Sequence, residues 1–196
     1  MGEIKNSALN LIGNTPIIKL DRYSKKQAIE GVQLLGKLEY LNPAGSVKDR
    51  VGAYMIKDAE DRGILKRGGT IVDATAGNTG LGIAIAALNK GYRLIFAVPE
   101  KFSIEKQTLL RALGSEIVNT SREEGMLGAD RKAEEIIASI PGAISLKQFK
   151  NPANPRAHYE TTGPEIYRQL DGKVDYLVAG AGSGGTYSGI VKYLKE

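Results

Sequence analysis

The stretch "TIVDATAGNTGLGIAIAALNKGYRLIFAVP", residues 70–99, carries two short apolar runs on either side of a longer one. TIVDA and RLIFAVP have strand length and are rich in β-branched residues, whereas LGIAIAALNK has helical length and is closed by Gly91. Strand, helix and strand joined by short loops make a right-handed crossover between parallel strands. Upstream, QLLGKLEY reads as a strand, LNPAG as a loop, and a helix runs from Val47 to about Arg62 with Val47, Val51, Tyr54, Met55 and Ala59 on one face. Downstream, a helix begins near Ser103, EIVN is a strand, a helix runs from about Glu124 to Ser139, and AISL is a strand. This alternation predicts an α/β fold with a doubly wound parallel sheet. The prolines of QFKNPANPRAHYETTGPE are expected to break regularity and mark a domain crossing, after which a helix and the strand KVDYLVAG resume the pattern.

Composition narrows the chemistry. With 196 residues and 42% hydrophobic content, the chain can bury a substantial core. It has no cysteine and one histidine, which removes disulfides and thiolate chemistry and leaves hydrolytic triads and zinc sites as poor candidates. The net charge of +5 is interleaved with acids and forms no basic stripe with aromatics, so nucleic acid is not expected as a partner, while anionic small ligands are favoured. No apolar run has membrane-spanning length, and the N-terminus MGEIKNSALNLIGNTP lacks signal-peptide character, which predicts a cytoplasmic protein.

Two glycine-rich turns stand where a strand meets a helix: Thr75-Ala76-Gly77-Asn78-Thr79-Gly80 and Gly182-Ser183-Gly184-Gly185-Thr186. Each offers bare backbone N–H groups and a helix N-terminus to an anion. Gly180, Gly182 and Gly185 also match G-x-G-x-x-G, but the position about 20 residues on, where an acidic residue would support a dinucleotide, falls outside the 196 residues, and no Walker lysine is present. Taken singly, each turn is equally well a tight connection needing glycine for its backbone angles.

Lys48 adds a third feature. Ser46 and Asp49 form the S-x-x-D pattern of a capping box, which places Lys48 in the first helical turn, where the dipole and partial burial lower its pKa. An amine of that kind is a nucleophile toward carbonyls and a usable base. A Schiff-base lysine, a phosphate nest and a carboxylate nest together describe pyridoxal phosphate meeting an amino acid. His158, Met126 and the tyrosines at 54, 159, 167, 176, 187 and 193 read as structural and packing residues.

The segments LIGNTP, LEYLNPAGSVKDR, TAGNTGLGIA, EKQTLLRALGSEI, QFKNPANPRAHYETTGPEI and VAGAGSGGTYSGIVKYLKE resemble, in this order, the cysteine synthase (O-acetylserine sulfhydrylase) and cystathionine β-synthase family of fold-type II pyridoxal-phosphate enzymes. The resemblance implies two doubly wound domains of the tryptophan synthase β-like kind. Residues 1–40 and 147–196 would belong to a larger cofactor domain, incomplete here, and 41–146 to a smaller mobile one. It implies that Lys48 carries the cofactor and is the catalytic base, that Asn78 hydrogen-bonds the cofactor's ring hydroxyl, and that Gly182, Ser183, Gly184, Gly185 and Thr186 cradle its phosphate. The loop of Thr75, Ala76, Gly77, Asn78 and Thr79, with Gln148, would bind the substrate carboxylate.

The implied reaction is β-replacement on O-acetylserine by sulfide to give L-cysteine, with homocysteine as the alternative nucleophile giving cystathionine. The complete protein is expected to be a homodimer. Ala76 departs from the serine most members carry there, and TAGNTG accompanies bacterial members that tolerate homocysteine. The chain ends at YLKE, soon after the second glycine turn, whereas family members continue, so the resemblance implies a C-terminally truncated enzyme. Outside the family, a non-catalytic α/β binding module and a dehydrogenase fragment stay open as alternatives.

Overall fold

The computed structural model describes residues 4–75 and 77–196. Near the N-terminus, β1 (Ile17–Lys19), α1 (Asp21–Lys26) and β2 (Leu35–Lys37) make a small unit in which the two strands pair antiparallel. β2 is the strand expected in QLLGKLEY, but it joins this two-stranded sheet and not the parallel one, because its hydrogen-bonding partner is β1, which apolar periodicity alone does not reveal.

The quoted stretch forms the centre of the molecule. α2 (Lys48–Asp61) leads into β3 (Thr70–Ala74), α3 (Asn78–Ala87), β4 (Arg93–Pro99), α4 (Ile104–Ala112), β5 (Glu116–Thr120) and α5 (Gly125–Ser139). β3, β4 and β5 are parallel and in that order. AISL extends the sheet by one parallel bridge, Ile71 with Ile144, in which Val72 N–H donates to Ile144 O and Ile144 N–H to Thr70 O. Alternation along the strands splits the core into two layers. Ile71, Leu94, Phe96 and Val98 pack with Val51, Met55 and Ala59 of α2 and Leu81 and Ile83 of α3 on one side. Val72, Ile95 and Ala97 pack with Ala129 and Ala133 of α5 on the other. Helices therefore cover both faces, the doubly wound arrangement.

α3 starts at Asn78, so Asn78, Thr79 and Gly80 belong to the helix's first turn and not to the loop, and it ends at Ala87. Asn89 and Gly91 both follow in left-handed conformation (φ +60° and +74°), so the reversal uses two such residues where Gly91 alone was expected.

The Pro-rich stretch does not break regularity. α6 (Ala153–Ala157), a π-helical turn (His158–Thr162) and α7 (Gly163–Gln169) follow one another without interruption. Pro152 is the N-cap and Pro155 lies in the first turn, where a missing N–H costs no helical hydrogen bond. Pro164 follows the wider π turn, closed by Gly163 N–H donating to His158 O, so its ring is spared the clash an α-helix would impose.

KVDYLVAG, expected as a strand, pairs with no strand among the described residues. Tyr176 and Val178 there are 90% and 92% exposed, so Tyr176 is not the packing residue expected. A strand requires a hydrogen-bonded neighbour, and its apolar sequence supplies only half of that requirement. α8 (Gly185–Lys195) then packs on α6 and the π turn.

Candidate active site

The N-terminus of α2 is built by its preceding loop. Ser46 Oγ accepts from Lys48 N–H at 3.1 Å, but Ser46 is not the N-cap expected: that position falls to Val47, whose apolar side chain offers no cap, and Lys48 is the first helical residue and not the second. The Asp49 carboxylate accepts from Ala44 N–H and from Ser46 Oγ–H, which tightens the NPAGS loop. Backbone hydrogen bonding begins the helix at Lys48 itself.

Lys48 is held there by a close helix crossing. A Cβ on Gly82 would lie 2.2 Å from the Lys48 carbonyl oxygen, and one on Gly52 would lie 2.3 Å from the Gly82 carbonyl carbon, so α2 and α3 meet main chain to main chain. Burial pushes the Lys48 pKa down. Its Nζ has no hydrogen-bond or ion-pair partner among the described residues.

Lys48 opens onto a cleft of about 490 Å³ lined also by Gly182, Ser183, Gly184 and Thr186 and by Leu35, Lys37 and Thr162. Gly184 is the N-cap of α8 in left-handed conformation (φ +81°), and no side chain among the described residues caps that helix. A Cβ on Gly182 or Gly184 would meet nothing within 4 Å, so both face open space. The cleft thus combines uncapped N–H groups, the hydroxyls of Thr162, Ser183 and Thr186 and an unpaired amine, a donor set suited to a phosphorylated aldehyde.

His158 backs the second turn. It is 0% exposed, its Nδ1 lies 2.9 Å from Thr162 Oγ1 and its Nε2 lies 3.1 Å from Thr186 Oγ1. Burial, then the nearby Arg50 and Lys48 charges, pushes its pKa down to about 4, so it is neutral near pH 7. The structural role expected for it holds, though on a helix and not a connector. Its contact with Thr186 spans 28 residues and leaves no mark on local spacing.

Thr75, Gly77, Asn78 and Thr79 of the first turn are not among the residues lining that cleft. Thr75 is buried, and its Oγ1 accepts from Gly80 N–H at 3.2 Å and Gly77 N–H at 3.5 Å, so it caps α3. Thr79 Oγ1 donates to Gln148 Oε1 at 2.6 Å, joining the turn to the segment after AISL. Asn78 opens α3, and Ala76 lies outside the described residues. Asp73, one strand residue upstream, accepts from Ser145 Oγ–H and Leu146 N–H and so anchors the main chain leading to Gln148. Lys106 Nζ stands 3.9 Å from where a Cβ on Gly77 would be, placing a cation beside the turn. Asp73 and Lys106 were not singled out in the sequence. The signal for both was position, one on β3 just before the turn and one on the helix after the neighbouring strand.

A buried ionic cluster braces α2 from behind. Arg50 donates from Nε and Nη2 to Glu39 at 2.7 and 2.8 Å and from Nη1 and Nη2 to Glu165 at 2.7 and 2.8 Å. Lys37 Nζ adds a 2.7 Å contact to Glu165. Burial would raise the Glu165 carboxyl, but Arg50, Lys37 and the Asn14 N–H outweigh it and hold the pKa at about 2. No helix among the described residues is long and apolar enough to cross a membrane.

A parallel doubly wound sheet with a partly buried lysine sharing a cleft with a helix N-terminus defines a class, and residues 8–196 match the family described as pyridoxal-phosphate dependent enzyme. The chain belongs to that family. Among its relatives, the O-acetylserine dependent cystathionine beta-synthase of Bacillus subtilis is 49% identical over 186 residues, covering 95% of this chain and 60% of that protein. Cysteine synthase A of Escherichia coli is also 49% identical, covering 94% and 55%. In structure, the O-acetylserine dependent cystathionine beta-synthase of Helicobacter pylori superposes with a TM-score of 0.90 at 42% identity, covering 99% of this chain and 63% of that one. The chain spans a little over half the length of the curated relatives.

Proposed function

We propose that this protein performs pyridoxal-phosphate-dependent β-replacement, forming L-cysteine from O-acetylserine and sulfide. The observation that supports it best is the unpaired, partly buried Lys48 amine in one cleft with the Gly182–Thr186 turn. Pyridoxal phosphate, when bound, supplies an aldehyde that condenses with amines and a ring that accepts the electron pair left when an α-proton departs.

The chain's own residues do the rest. Gly182, Ser183, Gly184, Gly185 and Thr186 hold the phosphate at the N-terminus of α8. Asn78 orients the ring through its hydroxyl. Thr75, Ala76, Gly77, Asn78, Thr79 and Gln148 bind the substrate carboxylate at the N-terminus of α3. Lys48 Nζ removes the α-proton and holds it, and its lowered pKa enlarges the share of neutral amine able to accept that proton. Acetate leaves with the Cβ–O electron pair, sulfide forms the new Cβ–S bond, and the Lys48 ammonium returns the proton to Cα. Movement of residues 41–146 over the cleft would exclude water while this proceeds. A homodimer in the complete protein and a cytoplasmic setting belong to the same reading.

Homocysteine is the second reading for the nucleophile, favoured by likeness to O-acetylserine dependent cystathionine beta-synthases. The experiment is a competition between sulfide and homocysteine at equal concentration with O-acetylserine as donor. Cysteine as the main product supports the first reading, cystathionine replaces it by the second, and no product with either defeats both.

A further inference from the structure

Asn154 belongs to neither glycine turn, yet it is 1% exposed and tied to both. Its Nδ2 donates to the Gln148 carbonyl and to Ser183 Oγ, each at 2.9 Å. Gln148 receives the Thr79 hydroxyl through its side chain. A continuous line of hydrogen bonds thus runs from Thr79 in the first turn of α3, through Gln148 and Asn154, to Ser183 before α8.

The amide makes no use of its other end. Asn154 Oδ1 is buried with no hydrogen-bond partner among the described residues, and it faces Gly185, where a Cβ would lie 2.1 Å away. Leaving a buried acceptor unmade is costly, and an apolar side chain of the same size would avoid that cost. What an apolar residue cannot supply is the pair of N–H groups. Those two donors are therefore the reason for an asparagine, and both are spent on joining the turns.

We propose that Asn154 is a positioning residue that fixes the separation of the two anion-binding turns, so that the state of one is felt at the other. The inference rests on the reading above, in which phosphate lies at Gly182–Thr186 and carboxylate at Thr75–Thr79. The reacting carbon lies between those two anchored groups, so an error in their separation becomes an error in its approach to Lys48. Asn154 touches neither ligand and acts through Gln148 and Ser183.

The test asks whether a change at one end is transmitted only when Asn154 is present. Pyridoxal phosphate is titrated by absorbance into the protein, and the loaded protein is then titrated with L-alanine, which has the amine and carboxylate but no leaving group on Cβ. Ser183→Ala, at the phosphate end, is expected to weaken L-alanine binding about fivefold, the low end of usual coupling between sites. In an Asn154→Leu background the same replacement should leave L-alanine affinity unchanged. Should Asn154→Leu fail to fold, Asn154→Asp keeps the shape and loses both donors, and serves in the same comparison. An equal Ser183→Ala effect in both backgrounds, or none with Asn154 present, overturns the inference while cofactor uptake still stands. A protein that takes up no pyridoxal phosphate overturns the underlying reading, and the inference with it.

Discussion

Gly82 lies directly against the Lys48 carbonyl, so that a methyl group added at Gly82 would come within 2.2 Å of that oxygen. Both partners are main chain near the start of one helix and the first turns of another, and neither can rotate away. Gly82→Ala is therefore expected to push α2 from α3, costing about 1–3 kcal/mol or more by overpacking, and to shift Lys48 from the cleft. Calorimetry and pyridoxal-phosphate uptake check this together. An unchanged melting temperature with full uptake would show that the crossing relaxes freely.

For Lys48 itself, burial moves the amine's pKa below the 10.5 of a free lysine, so the neutral, nucleophilic form exists at lower pH than on an exposed residue. Capture of pyridoxal phosphate should rise with pH about a midpoint below 10.5. Lys48→Ala should abolish the visible absorbance of lysine-bound cofactor. Persistence of that absorbance in the variant would assign the cofactor to a different amine.

The Arg50 cluster gives an acid-stability prediction. The Glu165 carboxyl falls from 4.5 to about 2 on folding, so its contribution is complete above 4.5 and is lost as pH falls toward 2. His158 adds to the same trend at higher pH. Its pKa drops from 6.5 to about 4, the unfolded chain binds the proton first, and stability declines between those values as pH falls. Glu165→Gln should cost about 3–5 kcal/mol near pH 7 by leaving Arg50 partly unpaired, and should flatten the loss below pH 4.5. Urea midpoints across pH measure both effects.

Much of this was legible because its causes are local. TIVDA, RLIFAVP and the apolar run between them carry their periodicities openly, and Ser46 two residues before Lys48 announces a helix start. What escaped depends on partners distant in sequence. β2 could be recognised as a strand, but its pairing with β1 could not. The prolines at 152, 155 and 164 looked like breaks because their tolerance depends on helix position and on a π turn. His158 meets Thr186, and Asn154 meets Ser183, only after the chain has folded back.

Lys106 offers a test of the carboxylate turn. Its ammonium stands near Gly77, and a cation there should assist an anionic substrate without touching the chemistry at Lys48. Lys106→Gln is expected to raise KM for O-acetylserine about threefold to tenfold at low salt with kcat little changed, and added salt should narrow the gap. A kcat loss at constant KM would place Lys106 in another role.

His158 has one more consequence. It is the chain's single histidine, the chain has no tryptophan, and the ring is sealed in the core against Thr186. Its imidazole nitrogens therefore give one uncrowded pair of NMR signals, free of overlap from other histidines and kept neutral near pH 7. Any ligand that draws the Thr186 hydroxyl toward itself must alter the hydrogen bond at Nε2. After uniform nitrogen-15 enrichment the protein carries its own single-site reporter for occupancy of the second glycine turn, readable without a fluorophore or an engineered tag.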